Sequence, residues 1–467
     1  MPRKTKIICT LGPATETEEV ISQLIEAGAN VFRLNMSHAK HEWAAEMVKL
    51  VRAQAEKAEQ HIAVLFDLTG PSIRTGDVDG SISLVEGDVV EFRKMGTNPT
   101  VEKSTTVNYA GLMADVHEGD TLVVDNGALL MRIDSVESDR ILCNVRTPGS
   151  MGSRRHINLP GVRLNLPALT DKDHRDLALA VECGADFIAG SFVRDAAHVR
   201  ELREAMNALE GEAQLVAKVE DQEAIKNIDA IITEADVIMI ARGDLGTEVE
   251  FEELPLLQRR LVKRCHELSK RVIVATQLLE SMLTNPTPTR AEVTDVMNAV
   301  YEEADALMLS GETSVGRYPV RCVDALVRIA NRMERSGGHG FGDSVLLRDE
   351  RQKVARAAVL LADSLPDARI VVLTRRGVLA NKLAILRPKT GALYAVTPKA
   401  EVCRLLSLTR GVEPIRLAYG ANIEETIQRL TTHLLKEKKV KPGTPIVIVS
   451  DLLSDHFAAN SILLHHA

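Results

Sequence analysis

The stretch "KIICTLGPATETEEVISQLIEAGANVFRLN", residues 6–35, decides the architecture. It opens on an apolar run of strand length, passes through Val20, Ile21, Leu24 and Ile25 at helical spacing, and closes on a second apolar run, "VFRLN". Strand, helix, strand is the unit, and it recurs. Eight buried-strand candidates follow along the chain: 6–11, 31–35, 63–68, 187–193, 215–220, 237–243, 271–277 and 306–310. Helical patterns at 42–58, 172–183, 196–209, 221–234, 252–269 and 289–303 separate most of them. Strands that alternate with helices pair in parallel, and eight such units predict a closed (β/α)8 TIM barrel. The competing arrangement is an open, doubly wound sheet.

One segment breaks the rhythm. Between residues 71 and 164 helical spacing gives way to "DGSISLVEGDVVEF", "EGDTLVVDNGALLMRIDSV" and "DRILCNVRT", punctuated by Gly-Asp and Asn-Gly turns. This predicts an all-β lid inserted after the third barrel strand, with Pro71, Pro160 and Pro167 stiffening its two hinges. The barrel is then expected over 1–70 and 165–335. Beyond the glycine-rich boundary "RSGGHGFGDS", alternating helices and strands predict a separate α/β domain over 345–467.

Composition narrows the class. In 467 residues, apolar side chains make up 45% and aromatics only 3%, so the cores are aliphatic. A net charge of −8 argues against a nucleic-acid partner. Six scattered cysteines with no CxxC pair suit reduced thiols in the cytoplasm. No apolar run is long enough to span a bilayer, so no membrane partner is expected.

Barrel enzymes keep their chemistry at the C-terminal ends of the strands. Here those ends carry Thr10; Arg33 and Asn35, with Ser37 beyond; Asp67; Ser191; Lys218 and Glu220; Arg242, Gly243 and Asp244; Thr276 and Gln277; Ser310 and Glu312. A full ring of polar ends is hard to ascribe to chance. Lys218 and Glu220 stand two apart on a strand, so both point at the barrel axis. A buried pair of this kind is costly unless further ligands satisfy it. One reading is a structural ion pair. The sharper one is that Glu220 and Asp244, from adjacent strands, share Mg2+ or Mn2+, while Lys218 faces a migrating phosphoryl group. Arg33 matches phosphate geometry. "NMSH" at 35–38 is open between a polar site and a helix cap by Ser37.

With these residues in view, the chain resembles the pyruvate kinases. The stretches are "RKTKIICTLGPAT", "GANVFRLNMSHAKHE", "FDLTGPSIRTG", "INLPGVRLNLPALTDKD", "GADFIAGSFVR", "VAKVED", "MIARGDLG", "VIVATQLLESM" and "DALMLSGETSVGRYP", in family order over residues 3–320. The resemblance implies a phosphotransferase that moves a phosphoryl group from phosphoenolpyruvate to ADP, giving pyruvate and ATP. It implies Glu220 and Asp244 as Mg2+ ligands, Lys218 at the phosphoryl group and enolate, Arg33 on phosphate, and Gly243, Asp244 and Thr276 about the pyruvyl part. Asn35, Ser37, Asp67 and the Leu68 carbonyl, with Ser191 nearby, are implied for K+. Asn35, His38, Arg74 and Arg155 are implied for the nucleotide, and Ser310 and Glu312 for relaying a proton. A homotetramer is likewise implied.

The chain departs from the family pattern in four places. Ser72 stands where K+-using members carry Glu and K+-independent members carry Lys. Asn126 replaces a common second Asp in the lid, and Arg154 and Arg155 replace a Lys pair. In the C-terminal domain, Thr374-Arg375-Arg376-Gly377 replaces a hydroxyl-rich effector loop, and "SDLLSDHFAANS" replaces a late glycine-rich one. Neither loop therefore supports allosteric control by a sugar phosphate or a nucleotide. Two other classes compete with the kinase: a metal-dependent lyase or aldolase on pyruvate enolates, and a non-catalytic metabolite sensor. The intact "SIRTG" stretch and lid weigh against the first. The retained lysine and carboxylates weigh against the second.

Overall fold

The protein is described here from a computed structural model covering residues 3–125, 127–450 and 461–467. Eight parallel strands close into a barrel: Lys6–Thr10, Val31–Asn35, Ala63–Asp67, Phe187–Gly190, Gln214–Val219, Val237–Ala241, Arg271–Ala275 and Ala306–Leu309. Each pairs with its sequence neighbours, and the eighth returns to the first through Ile7 opposite Leu307. The doubly wound alternative is excluded by that closure. The helices between strands are set by local chemistry. Thr17 caps Glu18–Ala27 through the Val20 N–H, and Gly28 ends it in the left-handed region at φ 112°. Thr170 and Asp173 form a reciprocal capping box on Asp171–Glu182.

The barrel axis is apolar low down and polar at the top. Ile8, Val31, Leu65, Phe187, Val216, Met239, Ile273 and Met308 fill the lower layers. Stepping two residues along the strands from Val31, Leu65 and Val216 brings Arg33, Asp67 and Lys218 to the same face. The period of two thus places the charges. Below, Leu408 from the C-terminal domain is fully buried in the same cluster and plugs the floor.

Three strands stop two or three residues earlier than expected. The fourth strand ends at Gly190, and Arg242–Asp244 form the first turn of a helix, Arg242–Glu248, rather than a strand end. Thr276 and Gln277 follow the seventh strand in the left-handed region, at φ 69° and 52°. The expected helix over 221–234 is two helices, Gln222–Lys226 and Ile228–Glu234. Ser37 caps nothing: the next helix, His41–Lys57, starts at Lys40 with no side-chain cap.

Strands between Ser81 and Asn158 form a six-stranded and a two-stranded sheet, inserted between the third and fourth barrel strands, with one short helix at Leu112–Asp115. The C-terminal α/β unit has a five-stranded sheet. Its last strand, Ser461–His466, runs antiparallel at the edge and was not expected from sequence. Buried and partly buried polar contacts join this unit to the barrel floor. Arg404 Nε lies 2.7 Å from Asp186 Oδ1, Arg387 Nη1 lies 3.0 Å from Asp305 Oδ1, and Lys6 Nζ donates to the Val412 carbonyl at 2.7 Å.

Candidate active site

The site grows from the third and fifth strands. Asp67 is buried at the end of strand three, where Arg33 Nε donates to its Oδ2 at 2.7 Å and Lys218 Nζ lies 3.2 Å from its Oδ1. Burial pushes the Asp67 carboxyl up, but Lys218 and Arg33 outweigh it and hold the group below its ordinary range. Arg33 Nη1 also donates to Thr10 Oγ1 at 3.0 Å, so the guanidinium is fixed from both neighbouring strands.

Lys218 Nζ donates to Ser191 Oγ at 2.6 Å and stands 2.9 Å from Glu220 Oε1. Burial works against its charge, yet Asp67 and Glu220 reverse the balance and raise it above its usual range. The amine is a fixed cation. Ser191 Oγ donates in turn to the Leu68 carbonyl at 2.8 Å, linking the amine to the end of the third strand.

Glu220 is buried and accepts the Phe192 N–H at 2.6 Å. Burial raises its carboxyl and the charge of Asp244 raises it further, against the pull of Lys218. Two carboxylates that repel each other, one of them buried, form a donor set a divalent cation would relieve, so the residues fit Mg2+ or Mn2+. Asp244 is more open, its side chain 31% exposed, with His156 Nδ1 of the lid 3.7 Å from Oδ1. Burial, then the charge of Arg74, lowers the His156 imidazole to about 4.

Thr276 Oγ1 accepts the Gly243 N–H at 2.7 Å, tying the seventh strand end to the helix that carries Asp244. Arg242 braces this turn, donating to the Thr276 carbonyl at 2.7 Å and to Asp295 at 2.8 Å. Consecutive non-glycine residues with positive φ store strain, and the brace holds it. Glu312 is buried and accepts the Leu279 and Ser310 N–H groups at 3.1 and 2.8 Å. The Ser310 hydroxyl is buried with no partner among the described residues. Glu312 therefore holds the loop, and Ser310 keeps a free hydroxyl.

The remaining candidates lie further out. Asn35 sits opposite Asp67 in register, and its Oδ1 takes the Ser37 N–H at 3.2 Å. Ser37 and His38 are exposed. Arg74 and Arg155 lie on neighbouring lid segments, where Arg74 Nη1 donates to the Arg154 carbonyl at 3.1 Å and Arg155 N donates to Thr75 Oγ1 at 2.8 Å. Ser72 accepts from Arg74 Nε at 3.2 Å. Arg154 pairs with Asp77 at 2.7 Å. Arg375 and Arg376 are exposed. Asn126 and nearly all of "SDLLSDHFAANS" lie outside the described residues.

Sequence reasoning missed Phe192, His156 and the bracing role of Arg242. Phe192 acts through its backbone at φ 54°, and no residue type announced that.

Fold and site together define a (β/α)8 barrel protein of the enzyme type, with a buried lysine and an acidic couple at the C-terminal ends of its strands. Residues 2–323 match the family model described as pyruvate kinase, barrel domain, and residues 352–465 match pyruvate kinase, alpha/beta domain. A chloroplastic pyruvate kinase isozyme G of Nicotiana tabacum is 40% identical over 96% of this chain and 80% of its own. A pyruvate kinase of Bacillus licheniformis is 38% identical over 98% and 79%. A crystal structure of a pyruvate kinase from Cryptosporidium parvum superposes with a TM-score of 0.93 at 32% identity, covering 99% of this chain and 96% of that one. The chain belongs to the pyruvate kinase family and is a phosphotransferase. Among the described residues no helix is long and apolar enough to cross a membrane.

Proposed function

We infer that the chain transfers the phosphoryl group of phosphoenolpyruvate to ADP, giving pyruvate and ATP as in the last step of glycolysis. The observation that carries this reading is the buried amine of Lys218, shared by Asp67 and Glu220 at the top of the barrel axis. Phosphoryl transfer asks a protein for positioning and cationic compensation. Lys218 supplies a charge for the phosphoryl group in flight and for the enolate left when the P–O bond breaks. Arg33 orients the phosphate, and Thr276 and Gly243 orient the pyruvyl part. Glu220 and Asp244 would hold Mg2+ or Mn2+, which when bound offsets phosphate charge. The enolate carbon then takes a proton, with Thr276 and the unpartnered hydroxyl of Ser310 as the candidate relay and Glu312 positioning Ser310. The lid excludes water that would otherwise accept the phosphoryl group.

ADP would lie towards Asn35, His38, Arg74 and Arg155 under the lid. Asn35, Ser37, Asp67 and the Leu68 carbonyl, with Ser191, form the candidate K+ site, and with Ser72 in place of a lysine no side chain substitutes for the ion. The domain limits that fit the topology are 1–70 with 165–335, 71–164 and 345–467. A homotetramer and a reducing cytoplasm complete the reading; five of the six free cysteines are buried.

The test is pyruvate formation from phosphoenolpyruvate with Mg2+, with and without ADP. ADP-dependent turnover supports the reading. Turnover indifferent to ADP would identify a lyase or phosphatase, and metal binding without turnover would identify a sensor.

A further inference from the structure

The two candidate metal ligands are supported unequally. Glu220 is held by the Phe192 N–H at 2.6 Å and by Lys218 at 2.9 Å. The Asp244 carboxylate takes no hydrogen bond from any described residue, and the one polar side chain within ion-pair distance is His156, 3.7 Å away. A carboxylate that grips a metal through one oxygen needs its orientation fixed by an outer partner, and such partners are worth about 10–100-fold in metal affinity. The barrel provides none for Asp244. The lid does.

The placement of His156 is built in. The lid's last strand, Ile157–Asn158, and the His156 that precedes it touch the short helix Arg242–Glu248 at two points. Asn158 Nδ2 donates to Glu248 Oε1 at 3.3 Å, while His156 faces Asp244. His156 and Asn158 are two apart on an extended backbone, a span of about 6.6 Å. Asp244 and Glu248 are four apart on a helix, a span of about 6.0 Å on the same face. The two repeats match, so docking the strand brings both lid side chains over both acids at once. Phe192 completes the arrangement: its N–H holds Glu220, and its ring packs on the His156 imidazole with centroids 5.6 Å apart.

We propose that His156 is a positioning residue for the divalent cation, a lid-borne donor that fixes the Asp244 carboxylate through Nδ1–H and so makes metal affinity depend on the seating of the lid. The proposal rests on the metal reading of Glu220 and Asp244, and the test separates the two. The 3.7 Å gap closes to hydrogen-bond length by a shift of under about 1 Å as the lid settles.

The test is binding of Mn2+ alone to the whole protein, with free Mn2+ followed by its electron paramagnetic resonance signal. Glu220→Gln, which removes a ligand, tests the site itself, and Mn2+ binding that survives it unchanged overturns the metal reading. His156→Phe keeps a ring against Phe192 but has no donor, and is expected to weaken Mn2+ binding about tenfold. His156→Asn places an amide N–H where Nδ1–H stands and is expected to restore binding to within about threefold. Both should melt like the wild type without metal; His156→Ala replaces the Phe variant if that ring is not accommodated. Wild-type affinity in the Phe or Ala variant overturns the proposal, as does an Asn variant no better than Phe.

Discussion

Lys218 Nζ lies 2.9 Å from Glu220 Oε1, two residues further along the same chain segment, and both side chains are buried at the barrel axis. A pair this close and this dry is a poor source of stability, because desolvation consumes most of the Coulomb attraction. Its geometry suits a different purpose. With Asp67 Oδ1 3.2 Å away as well, the amine is held charged at the top of the barrel axis.

The acidic couple should be needed for metal more than for folding. Asp244→Asn is expected to lower divalent-cation affinity by at least about tenfold and to leave the metal-free melting temperature within about 2 °C. Calorimetric titration with Mn2+ and a melting curve in chelator check both halves.

Potassium should activate. Asp67 and the Leu68 carbonyl face the site with no lysine at position 72, where Ser72 instead takes a hydrogen bond from Arg74. Initial rates with K+ should exceed those with tetramethylammonium at equal ionic strength, and equal rates would refute the expectation.

Glu248 makes stability depend on pH. Burial, then the charge of Asp221, raises its carboxyl from 4.5 to about 7. Below pH 4.5 the folded and unfolded chains are both protonated there. Between 4.5 and about 7 the unfolded chain loses a proton that the folded chain keeps, so stability falls as pH rises and levels off above. The loss is at most about 3 kcal/mol at 1.36 kcal/mol per unit. Glu248→Gln in chelator should therefore melt higher than the wild type at pH 8 and equally at pH 4.5. Equal melting at both would contradict the assignment.

The barrel floor should depend on the C-terminal domain. Leu408 is fully buried among barrel residues, so Leu408→Ala should cost about 2–5 kcal/mol. Chemical denaturation measures it. A loss under 1 kcal/mol would mean the floor closes without the plug.

The barrel was legible because its strands are buried on both faces and read as unbroken apolar runs. Lys218 and Glu220 were legible because a charge inside such a run has only the axis to face. The turn after Ala241 was not, since "ARGDLG" suits a loop or a helix equally and the Arg242 contacts to Thr276 and Asp295 decide it. Thr276 and Gln277 carry no glycine to announce a left-handed turn. His156 was invisible because its partner is 88 residues away and only the docking of the lid strand joins them. The edge strand Ser461–His466 escaped because a six-residue run ending "LLHH" has weak strand character until it pairs with Pro445–Ser450.

The most direct measurement is the rate of ADP-dependent pyruvate formation by Lys218→Met, in which the unbranched side chain is kept one atom shorter and the charge is removed. The account predicts a fall in kcat of at least about 10²–10³ with Mn2+ binding retained. Turnover within a few-fold of wild type would contradict it, since the phosphoryl group would then be crossing without the amine.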